Sequence, residues 1–312
     1  MYQKLKNWYI INKLCTKKAI FGTRLNLCIF CTSSNGRINK LAQIKKDTSL
    51  RKAILQAAVT GKLISTVVEP AETTIETGRQ LLDRIIEERN KKVLEETKKN
   101  HTDLQISTKS AGKKSDSRSK SQIRVIKKEL PPITEEEIPF EIPENWCWCR
   151  LGKIVYSNGQ KTPDKKFSYI DIGSIDNINQ KLNEKENLIL PEKAPSRARK
   201  IVKKGDIIYS TVRPYLHNMC IIDKDFSEEP IASTGFAVMS CWHGIYNKYL
   251  FYYLLSPTFD NYANDTENAK GMAYPAINDD KLYRGLVPLP PLAEQKRIVA
   301  AVEQLLPLCG KL

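Results

Sequence analysis

The feature that most constrains the fold of this chain is a long charged segment with few apolar residues. Between residues 89 and 128 the sequence holds 13 Lys or Arg against 4 Asp or Glu. Its centre, STKSAGKKSDSRSKSQ, lacks the apolar side chains whose burial would offset the entropy lost on ordering. We therefore predict a charged flexible linker at residues 101–130, which divides the 312-residue chain into two folded parts. A nonspecific arm that contacts phosphates is the alternative interpretation.

A pair of amphipathic helices is expected before the linker, in a helical region that covers residues 47–100. In the first, DTSLRKAILQAAVTGKL, Thr48 or Ser49 can cap the start, and Gly61 offers the left-handed residue that ends it. The second is expected to begin near Thr73, where TTIE matches a capping box. Its apolar stripe is too narrow to form a core alone, so this helix needs a partner surface.

Residues 1–46 are expected to be a poorly ordered N-terminal extension. Several lysines precede the apolar stretch AIFGTRLNLCIFC, which Arg24 and Asn26 interrupt and which is too short to span a bilayer. The segment has the outline of a signal peptide, but it lacks a continuous apolar region and a small-residue cleavage site. A start codon placed too far upstream would produce the same pattern.

Residues 131–290 have the composition of a mixed α/β domain. Four prolines between Leu130 and Trp146 predict an extended strap that leads into the domain. The runs FSYIDIGSI, GDIIYSTVRPYL, CIIDK and IASTGFAVMSC are rich in β-branched or aromatic residues and bounded by turn residues, which predicts strands. One helical stretch, NKYLFYYLLSPTFDNYAN, follows them.

A further helix is predicted to begin at VPLPPLAEQKRIV and to occupy residues 291–312. Pro291 suits the first turn, and Glu294 lies where the helix dipole favours an acid. The apolar stripe of this helix is too small to bury itself, so we expect it to pack on the helix around residues 75–99 or on a second copy of the chain. Pro307 would remove a backbone hydrogen bond and bend the helix.

Charge and cysteine content limit the class of protein. A formal net charge of +15 and a pI near 9.3 favour a polyanionic partner, above all nucleic acid, although a lysine-rich surface gives the same values. Eight cysteines in a chain of this length indicate buried free thiols rather than a secreted disulfide framework. A zinc site would require the distant pairs Cys28/Cys31 and Cys147/Cys149 to converge.

The motifs of common nucleic-acid enzymes are missing from the sequence. It has neither a GxxxxGK[ST] loop nor a G-x-G pair, and it lacks an Asn-Pro-Pro-Tyr-type methyltransferase motif. Pro163-Asp164-Lys165-Lys166 begins like a magnesium-dependent nuclease motif, but the following acid-x-Lys strand is absent. The three histidines show no metal-ligand spacing. We therefore expect no catalytic site, metal or cofactor in this chain, and a binding role.

Three stretches of the mixed domain are candidates for DNA contact. In STVRPYL, Arg213 and Tyr215 follow a strand, where a rigid arginine can read a guanine edge or pair with a carboxylate. The other candidate side chains lie on the loops ENAKGMAYPAINDDK and NGQKTPDKK, and they are Lys270, Tyr274, Asn278, Lys161, Lys165 and Lys166. The lysines of the second loop suit phosphate contacts, whereas Asn-Asp-Asp in the first also suits a turn.

Several of these motifs, taken in order, resemble one known family. LRKAILQAAVTGKL, IPFEIPENWCWCRLGKI, GDIIYSTVRPYL, IASTGFAV, KGMAYPAIND and LPPLAEQKRIVAAVEQLLPLC are similar to regions of the DNA-specificity (S) subunits of type I restriction–modification systems. The resemblance covers residues 50–312. It implies an α+β fold, in which one mixed α/β target recognition domain is flanked by long helices that form an antiparallel coiled coil.

The resemblance also implies a function and a set of partners. Such a subunit is cytoplasmic and non-catalytic, recognises one half of a bipartite site in double-stranded DNA, and docks methyltransferase (M) and restriction (R) subunits. S-adenosylmethionine, ATP and Mg are then expected on those partners. This sequence has one recognition domain where family members commonly have two, so it is either a half-subunit that pairs with a second copy or a truncated, inactive fragment. A nuclease and a nonspecific nucleic-acid binder remain the competing hypotheses.

Overall fold

The computed structural model describes residues 36–63, 76–107, 130–265 and 275–309. The helices in these ranges are α1 (Gly36–Val59), α2 (Gly78–Ser107), α3 (Leu151–Ile154), α4 (Asn247–Leu254), α5 (Pro257–Asn264), α6 (Asp279–Arg284) and α7 (Leu292–Leu305). The strands are β1 (Cys147–Arg150), β2 (Val155–Tyr156), β3 (Phe167–Ile170), β4 (Ile175–Asp176), β5 (Lys181–Leu182), β6 (Leu188–Ile189), β7 (Ala198–Ile201), β8 (Ile207–Ser210), β9 (Met219–Ile221), β10 (Pro230–Ser233), β11 (Phe236–Cys241) and β12 (Leu286–Leu289). The mixed α and β composition is as predicted.

Two four-stranded sheets form the body of the β-rich domain. One has the order β6-β3-β10-β7 with β3 and β10 parallel, and the other, β2-β11-β8-β9, is antiparallel throughout. The chain crosses from the first sheet to the second at the turn Thr234–Gly235, between β10 and β11. Two smaller antiparallel pairs complete the domain: β1 with β12, which joins its two ends, and the hairpin β4–β5.

The second sheet is buried on both faces. Ile207 and Tyr209 of β8 belong to a core shared with α2, α4 and α5, whereas Ile208 belongs to a core shared with residues of the first sheet. All four residues of β8 are buried, which explains why Ile207, Ile208 and Tyr209 follow one another without polar alternation. Because the two cores cover both faces of β8, the position of its last residue, Ser210, is fixed. The candidate stretch STVRPYL starts at that residue.

Helix α1 begins earlier than predicted. It runs from Gly36, so the boundary placed at residue 46 between a poorly ordered extension and the first helix is wrong. Thr48 and Ser49 lie inside the helix and do not cap it. Its end is as predicted: Gly61 adopts a φ of +72°, and the chain turns back as the Leu63 amide donates to the Ala57 carbonyl at 3.0 Å.

Helix α2 has a different capping box from the predicted one. The Thr77 hydroxyl accepts from the Gln80 amide at 3.2 Å, while the Gln80 side chain accepts from the Thr77 amide at 2.8 Å. Thr73, the predicted cap, lies outside the described residues. The helix continues to Ser107, so the predicted linker boundary at residue 101 is also wrong.

The single helical stretch predicted after the strands is two helices. Ser256 interrupts it: its hydroxyl accepts from the Phe259 amide at 3.4 Å, and Pro257 occupies the first helical position of α5. Helix α4 buries Tyr249, Leu250, Tyr253 and Leu254. The Tyr249 hydroxyl donates to the Pro288 carbonyl at 2.6 Å, which attaches α4 to β12.

Helix α7 packs on α1 and α4 rather than on the helix around residues 75–99. Its Ile298, Val302 and Leu305 share a buried cluster with Leu50 and Ile54 of α1. Helix α2 instead lies against β1, β12 and α3. The α-helix ends at Leu305, and Pro307 lies in a short 3₁₀ turn, Leu306–Leu308, so the proline ends the regular helix instead of bending it.

The start of α7 is tied to the domain by two polar side chains. Glu294 accepts hydrogen bonds from the Asn145 amide group at 2.7 Å and from the Trp146 indole N–H at 2.5 Å. The fully buried Gln295 accepts from the Tyr246 amide at 2.8 Å and donates to backbone carbonyls of residues 244 and 290. Glu294 therefore serves as more than a dipole partner, because it joins the strap to the helix.

The proline-rich strap is fastened by one arginine. Arg150 is buried, and its guanidinium donates to the carbonyls of Pro131 and Pro132 at 3.1 and 2.7 Å. It also donates to both carboxylate oxygens of Glu137, at 2.9 and 2.8 Å, and to the Arg284 carbonyl at 3.0 Å. This set of contacts connects the strap, β1 and the end of α6.

The cysteines of the described residues are free thiols, as predicted. Cys147, Cys149, Cys220 and Cys309 are buried, and Cys241 is half-buried. Burial raises the pKa of the Cys241 thiol to about 12. Among the residues that the structure describes, no helix has the length and apolar content required to cross a membrane.

Candidate nucleic-acid interface

Loops from separate parts of the chain meet along one edge of the β-rich domain through backbone hydrogen bonds. The Thr234 amide donates to the Arg197 carbonyl at 2.8 Å, which joins the turn between the two sheets to the residue before β7. The Thr211 amide and hydroxyl each donate to the Gly235 carbonyl at 3.0 Å, which adds the segment after β8. We refer to residues 197, 211–216, 234–235 and 275–278 as the rim.

The segment before α6 continues the same hydrogen-bonded series. The Ile277 amide donates to the Thr211 carbonyl at 2.9 Å, and the Arg213 amide donates to the Pro275 carbonyl at 2.8 Å. Val212 and Ala276 are paired as an isolated antiparallel bridge. The backbone of Arg213 is thus bonded to a second segment of the chain, beside an isolated bridge, although Arg213 itself lies outside the sheets.

The turn that carries Arg213 has an unusual backbone. Arg213 and His217, at its two ends, both have a φ of +51°, and Pro214–Leu216 form a 3₁₀ turn between them. Left-handed conformations at non-glycine residues cost free energy and persist where surrounding contacts impose them. Here His217 contacts Asp260 of α5 at 2.8 Å, which anchors the far end of the turn.

The anchoring pair of this turn is electrostatically matched. Partial burial acts to raise the pKa of Asp260, but the hydrogen bond and charge of His217 outweigh it, and the pKa of that carboxyl is lowered. Residue Tyr215, between the two left-handed positions, is 48% exposed. The predicted pair of Arg213 and Tyr215 at a strand end is therefore present, on a turn whose ends are both secured.

The loop that follows α5 is described only in part. Lys270 and Tyr274 lie outside the described residues, and the described chain resumes at Pro275, on the rim. Asn278 lies on the rim and caps α6, because its side chain accepts from the Lys281 amide at 2.8 Å. The Asn-Asp-Asp sequence was also expected to suit a turn. In the structure the exposed side chain of Asn278 has such a local structural role, as the cap of α6.

The three predicted lysines lie on the loop between β2 and β3, outside the rim. Lys161 forms ion pairs with Glu229 at 2.5 Å and Asp164 at 3.3 Å. Burial lowers the pKa of Lys161, but the hydrogen bond that its ammonium donates to Glu229 raises that pKa, with a net increase. Lys165 and Lys166 are exposed, and the Lys166 ammonium lies 4.0 Å from a carboxylate oxygen of Glu228.

Two rim residues were missed by the sequence reasoning. Arg197 and Thr234 are both exposed, and their backbones are hydrogen-bonded to each other. The signal for Arg197 was present: residues 193–204 contain six Lys or Arg and no acid. The backbone of that run also contacts the lysine loop, because the Lys161 amide donates to the Arg199 carbonyl at 2.9 Å. The rim and the lysine loop are therefore joined through β7.

The buried carboxylate of the domain has a structural arrangement. Asp206 accepts from the Ser240 hydroxyl at 2.5 Å, from the Asn158 side chain at 2.8 Å and from the Lys203 amide at 2.7 Å. Burial raises the pKa of this carboxyl. The described ranges contain no group of three or more His, Cys, Asp or Glu placed to hold a metal ion.

These features define a domain of mixed α and β structure with adjoining helices. The family described as "Type I restriction modification DNA specificity domain" matches residues 143–309, more than half of the sequence, and the chain belongs to this family. That match confirms the resemblance found in the motifs.

Two curated relatives are specificity subunits, and one solved structure is similar to part of the chain. The EcoAI type I restriction enzyme specificity subunit of Escherichia coli is 29% identical over 274 residues, which cover 85% of this chain and 40% of that protein. The EcoEI specificity subunit of the same organism is 24% identical over 278 residues, 85% of this chain and 41% of that protein. The HsdS subunit from Thermoanaerobacter tengcongensis shares 38% identity over 55% of this chain and 44% of its own, with a TM-score of 0.49. The chain spans about two fifths of the length of the curated relatives it matches.

Proposed function

We propose that this chain is a half-length specificity subunit of a type I restriction–modification complex, which recognises one half of a bipartite DNA site. Membership of the specificity family supports the class of function, and the rim supports the place where DNA is read. The observation that carries the proposal is the double anchoring of the Arg213 turn, through Pro275 at one end and Asp260 at the other.

Arg213 is the side chain proposed to read a base. Two parallel hydrogen bonds from a guanidinium match the O6 and N7 atoms of guanine in the major groove, and they require an arginine whose backbone does not move. Tyr215 is proposed to contact DNA beside it. Lys270, Tyr274 and Asn278 are proposed to contact DNA from the segment that meets the rim at Pro275, and Arg197 extends the same surface.

Lys161, Lys165 and Lys166 are proposed as phosphate contacts rather than base contacts. Lys165 and Lys166 are exposed, and the flexible lysine side chain can bring its ammonium group to a phosphate without requiring an exact geometry. Lys161 would exchange its ion pair with Glu229 for one with a phosphate, so its contribution is expected to be smaller.

The helices are proposed to space and dock the partners. Helix α2 has 30 residues, or about 45 Å at 1.5 Å per residue, and Leu94 on it is 55% exposed. We propose that α2 forms an antiparallel coiled coil within a two-fold pair of chains and presents a surface to the methyltransferase and restriction subunits. Two copies related by a two-fold axis would read a palindromic split site.

The chemistry of the complex is assigned to the partners. In this proposal the methyltransferase subunits bind S-adenosylmethionine and modify adenine, the restriction subunits use ATP and Mg, and this chain supplies sequence recognition in the cytoplasm. A nuclease in its own right would instead cleave DNA as a purified single chain with a divalent metal.

The test is co-expression of the full chain with the neighbouring methyltransferase subunit, followed by mapping of methylated adenines in host DNA. A bipartite motif that disappears when this gene is deleted supports the proposal. Failure of the chain to associate with any methyltransferase subunit, or methylation that does not depend on the chain, contradicts it.

Salt dependence separates sequence recognition from nonspecific polyanion binding. A nonspecific binder loses affinity evenly across sequences, with a slope of log affinity against log salt of about −0.9 per phosphate neutralised. A specificity subunit retains a preference for duplexes that carry the mapped motif over shuffled duplexes at every salt concentration.

A further inference from the structure

The tip of the β4–β5 hairpin is a tight turn that holds one apolar side chain in solvent. The Asp176 carboxylate accepts from the amides of Ile178 and Asn179 at 2.9 and 3.1 Å, and from the Asn179 side chain at 2.7 Å. Gln180 closes the turn with a φ of +52°. Ile178, at its centre, is 77% exposed. The turn therefore fixes the backbone beneath an exposed isoleucine.

Both ends of this hairpin are attached to the domain. At its base Ile175 is buried in the core between the two sheets, with Leu182 packed against the same core, and the Asn183 amide donates to the Ser174 carbonyl at 2.9 Å. At its tip the Asn177 side chain donates to the Leu216 carbonyl at 3.0 Å. Because Leu216 belongs to the rim, the hairpin tip is continuous with the surface that carries Arg213 and Tyr215.

The polar side chains at the tip are occupied within the protein. Asn177 donates to Leu216, Asn179 donates to Asp176, and the Gln180 side chain donates to the Asn177 carbonyl. Ile178 is the tip residue whose side chain extends away from these contacts. An isolated exposed isoleucine carries no information. This one is different because the preceding residue, Asn177, is bonded to Leu216, and Leu216 and Tyr215 are themselves 36% and 48% exposed.

Backbone strain is concentrated in the same place. Among the described residues, the non-glycine positions with positive φ are Gln180, Arg213 and His217. All three lie in the hairpin tip or in the adjoining turn of the rim. Strained positions of this kind are found at ligand-binding surfaces, where the folded scaffold imposes a geometry that the local sequence does not favour.

We propose that the hairpin tip enters the DNA major groove and that Ile178 recognises a thymine through its C5-methyl group. This inference rests on the proposed function. A two-stranded β-ribbon fits the major groove, about 12 Å wide, but not the minor groove, about 6 Å wide, and apolar side chains distinguish thymine by its methyl group. Arg213 and Ile178 then read neighbouring positions, one by hydrogen bonds and the other by apolar contact.

The experiment selects preferred sequences from a randomised duplex library with the full chain, co-purified with the methyltransferase subunit. Four proteins are compared: the unmodified chain, Ile178→Ala, Arg213→Ala and the control Ile138→Ala, which truncates an exposed isoleucine on the strap. We expect Ile178→Ala to lose the preference at one thymine position and keep the others, and Ile138→Ala to change nothing.

A second measurement isolates the methyl group. Duplexes carrying the selected motif are synthesised with each thymine replaced in turn by deoxyuridine, which removes only the C5 methyl. At one position the unmodified chain should bind about 3- to 10-fold more weakly, the range for losing burial of one methyl group. The Ile178→Ala variant should show no such difference there.

The outcomes separate the two proposals. The role of Ile178 is overturned if Ile178→Ala selects an unchanged motif, or if the deoxyuridine effect persists in that variant. The proposed function is still supported in that case, provided that Arg213→Ala alters the motif. Selection of no motif by the unmodified chain overturns both. Circular dichroism of the Ile178→Ala variant should match the unmodified chain, because the side chain that it loses is exposed.

Discussion

Glu137 and Arg150 form an ion pair in which the two partners differ in environment: the guanidinium is 4% exposed and the carboxylate 42%. Both carboxylate oxygens accept from the guanidinium, and this bonding is the main reason that the pKa of Glu137 is lowered to about 2. The pair fastens the strap to β1. It therefore links the stability of the domain to the ionisation of one surface carboxylate.

A Glu137→Gln variant should lose stability in a pH-dependent way. A lowered pKa means that the stabilisation is complete above the ordinary value of 4.5 and is lost as the pH falls toward about 2. At pH 7 we expect a loss of about 1 kcal/mol in the free energy of unfolding, the low end for a charge-assisted bond because Glu137 is partly solvated. Denaturant titrations from pH 7 to pH 2 measure it.

The matched control for this prediction is Glu136→Gln, which changes the exposed neighbouring glutamate of the same 3₁₀ turn. It should leave the free energy of unfolding within error of the unmodified chain. A loss in Glu137→Gln that stays constant across the pH range would show that the ionised pair is not its cause.

Truncation of Glu294 should destabilise the junction of strap and helix. Glu294→Ala leaves the side-chain donors of Asn145 and Trp146 without their acceptor, at a cost of about 1–3 kcal/mol. On the same helix, Glu303→Ala removes only an exposed pair with Lys248 and should cost about 0–1 kcal/mol. Thermal unfolding of both variants tests the contrast, and equal losses would contradict the special role of Glu294.

Gly78 is expected to tolerate no larger residue. A Cβ at this first residue of α2 would lie 2.1 Å from the Leu289 carbonyl oxygen, so Gly78→Ala forces α2 and β12 apart. We expect a loss of about 1–3 kcal/mol or more in the free energy of unfolding. Gly173→Ala serves as control, since its nearest neighbour would lie at 3.4 Å, and a similar loss there would refute the steric explanation.

Arg213 and Lys165 should affect DNA binding in different ways. Arg213→Ala should weaken binding to the mapped motif by about 1–3 kcal/mol and relax the preference at one base position. Lys165→Ala should weaken binding evenly across sequences and reduce the salt slope by about 1. Fluorescence anisotropy with motif and shuffled duplexes at several salt concentrations distinguishes them, and an even loss for Arg213→Ala would exclude base reading.

Substitutions of Asn278 can separate its cap from a DNA contact. Asn278→Ala should cost about 0.5–2 kcal/mol of stability, because the Lys281 amide loses its acceptor. Asn278→Asp preserves the cap and should leave stability unchanged. If the side chain also contacts DNA, Asn278→Asp should bind DNA more weakly despite normal stability. Unchanged affinity in Asn278→Asp would confine the residue to its structural role.

Local signals in the sequence were sufficient for much of the fold. Gly61 ends α1 because only a residue tolerant of positive φ fits there, and β8 is recognisable because both of its faces are buried. The break at Ser256-Pro257 was missed although serine followed by proline is a helix-start signal, since the apolar spacing on both sides suggested one helix.

Tertiary contacts account for what the sequence left undetermined. The narrow apolar stripe on α7 shows that this helix needs a partner surface. Which helix it packs against, α1 or α2, depends on how Glu294 and Gln295 orient α7 on the domain. The meeting of Arg197 with Thr234 joins positions distant in sequence, through backbone atoms that every residue possesses. Side-chain identity alone gives no indication of such a contact.

The rim has a consequence for how such a protein can change its target. Its segments are joined mainly by amide and carbonyl groups, so replacing a side chain at Arg197, Arg213 or Thr234 leaves those joining bonds in place. A population of genes could therefore accumulate different residues at these positions with little loss of folded protein. Under the proposed function, new DNA targets become accessible through single substitutions, while the scaffold that presents them is inherited unaltered.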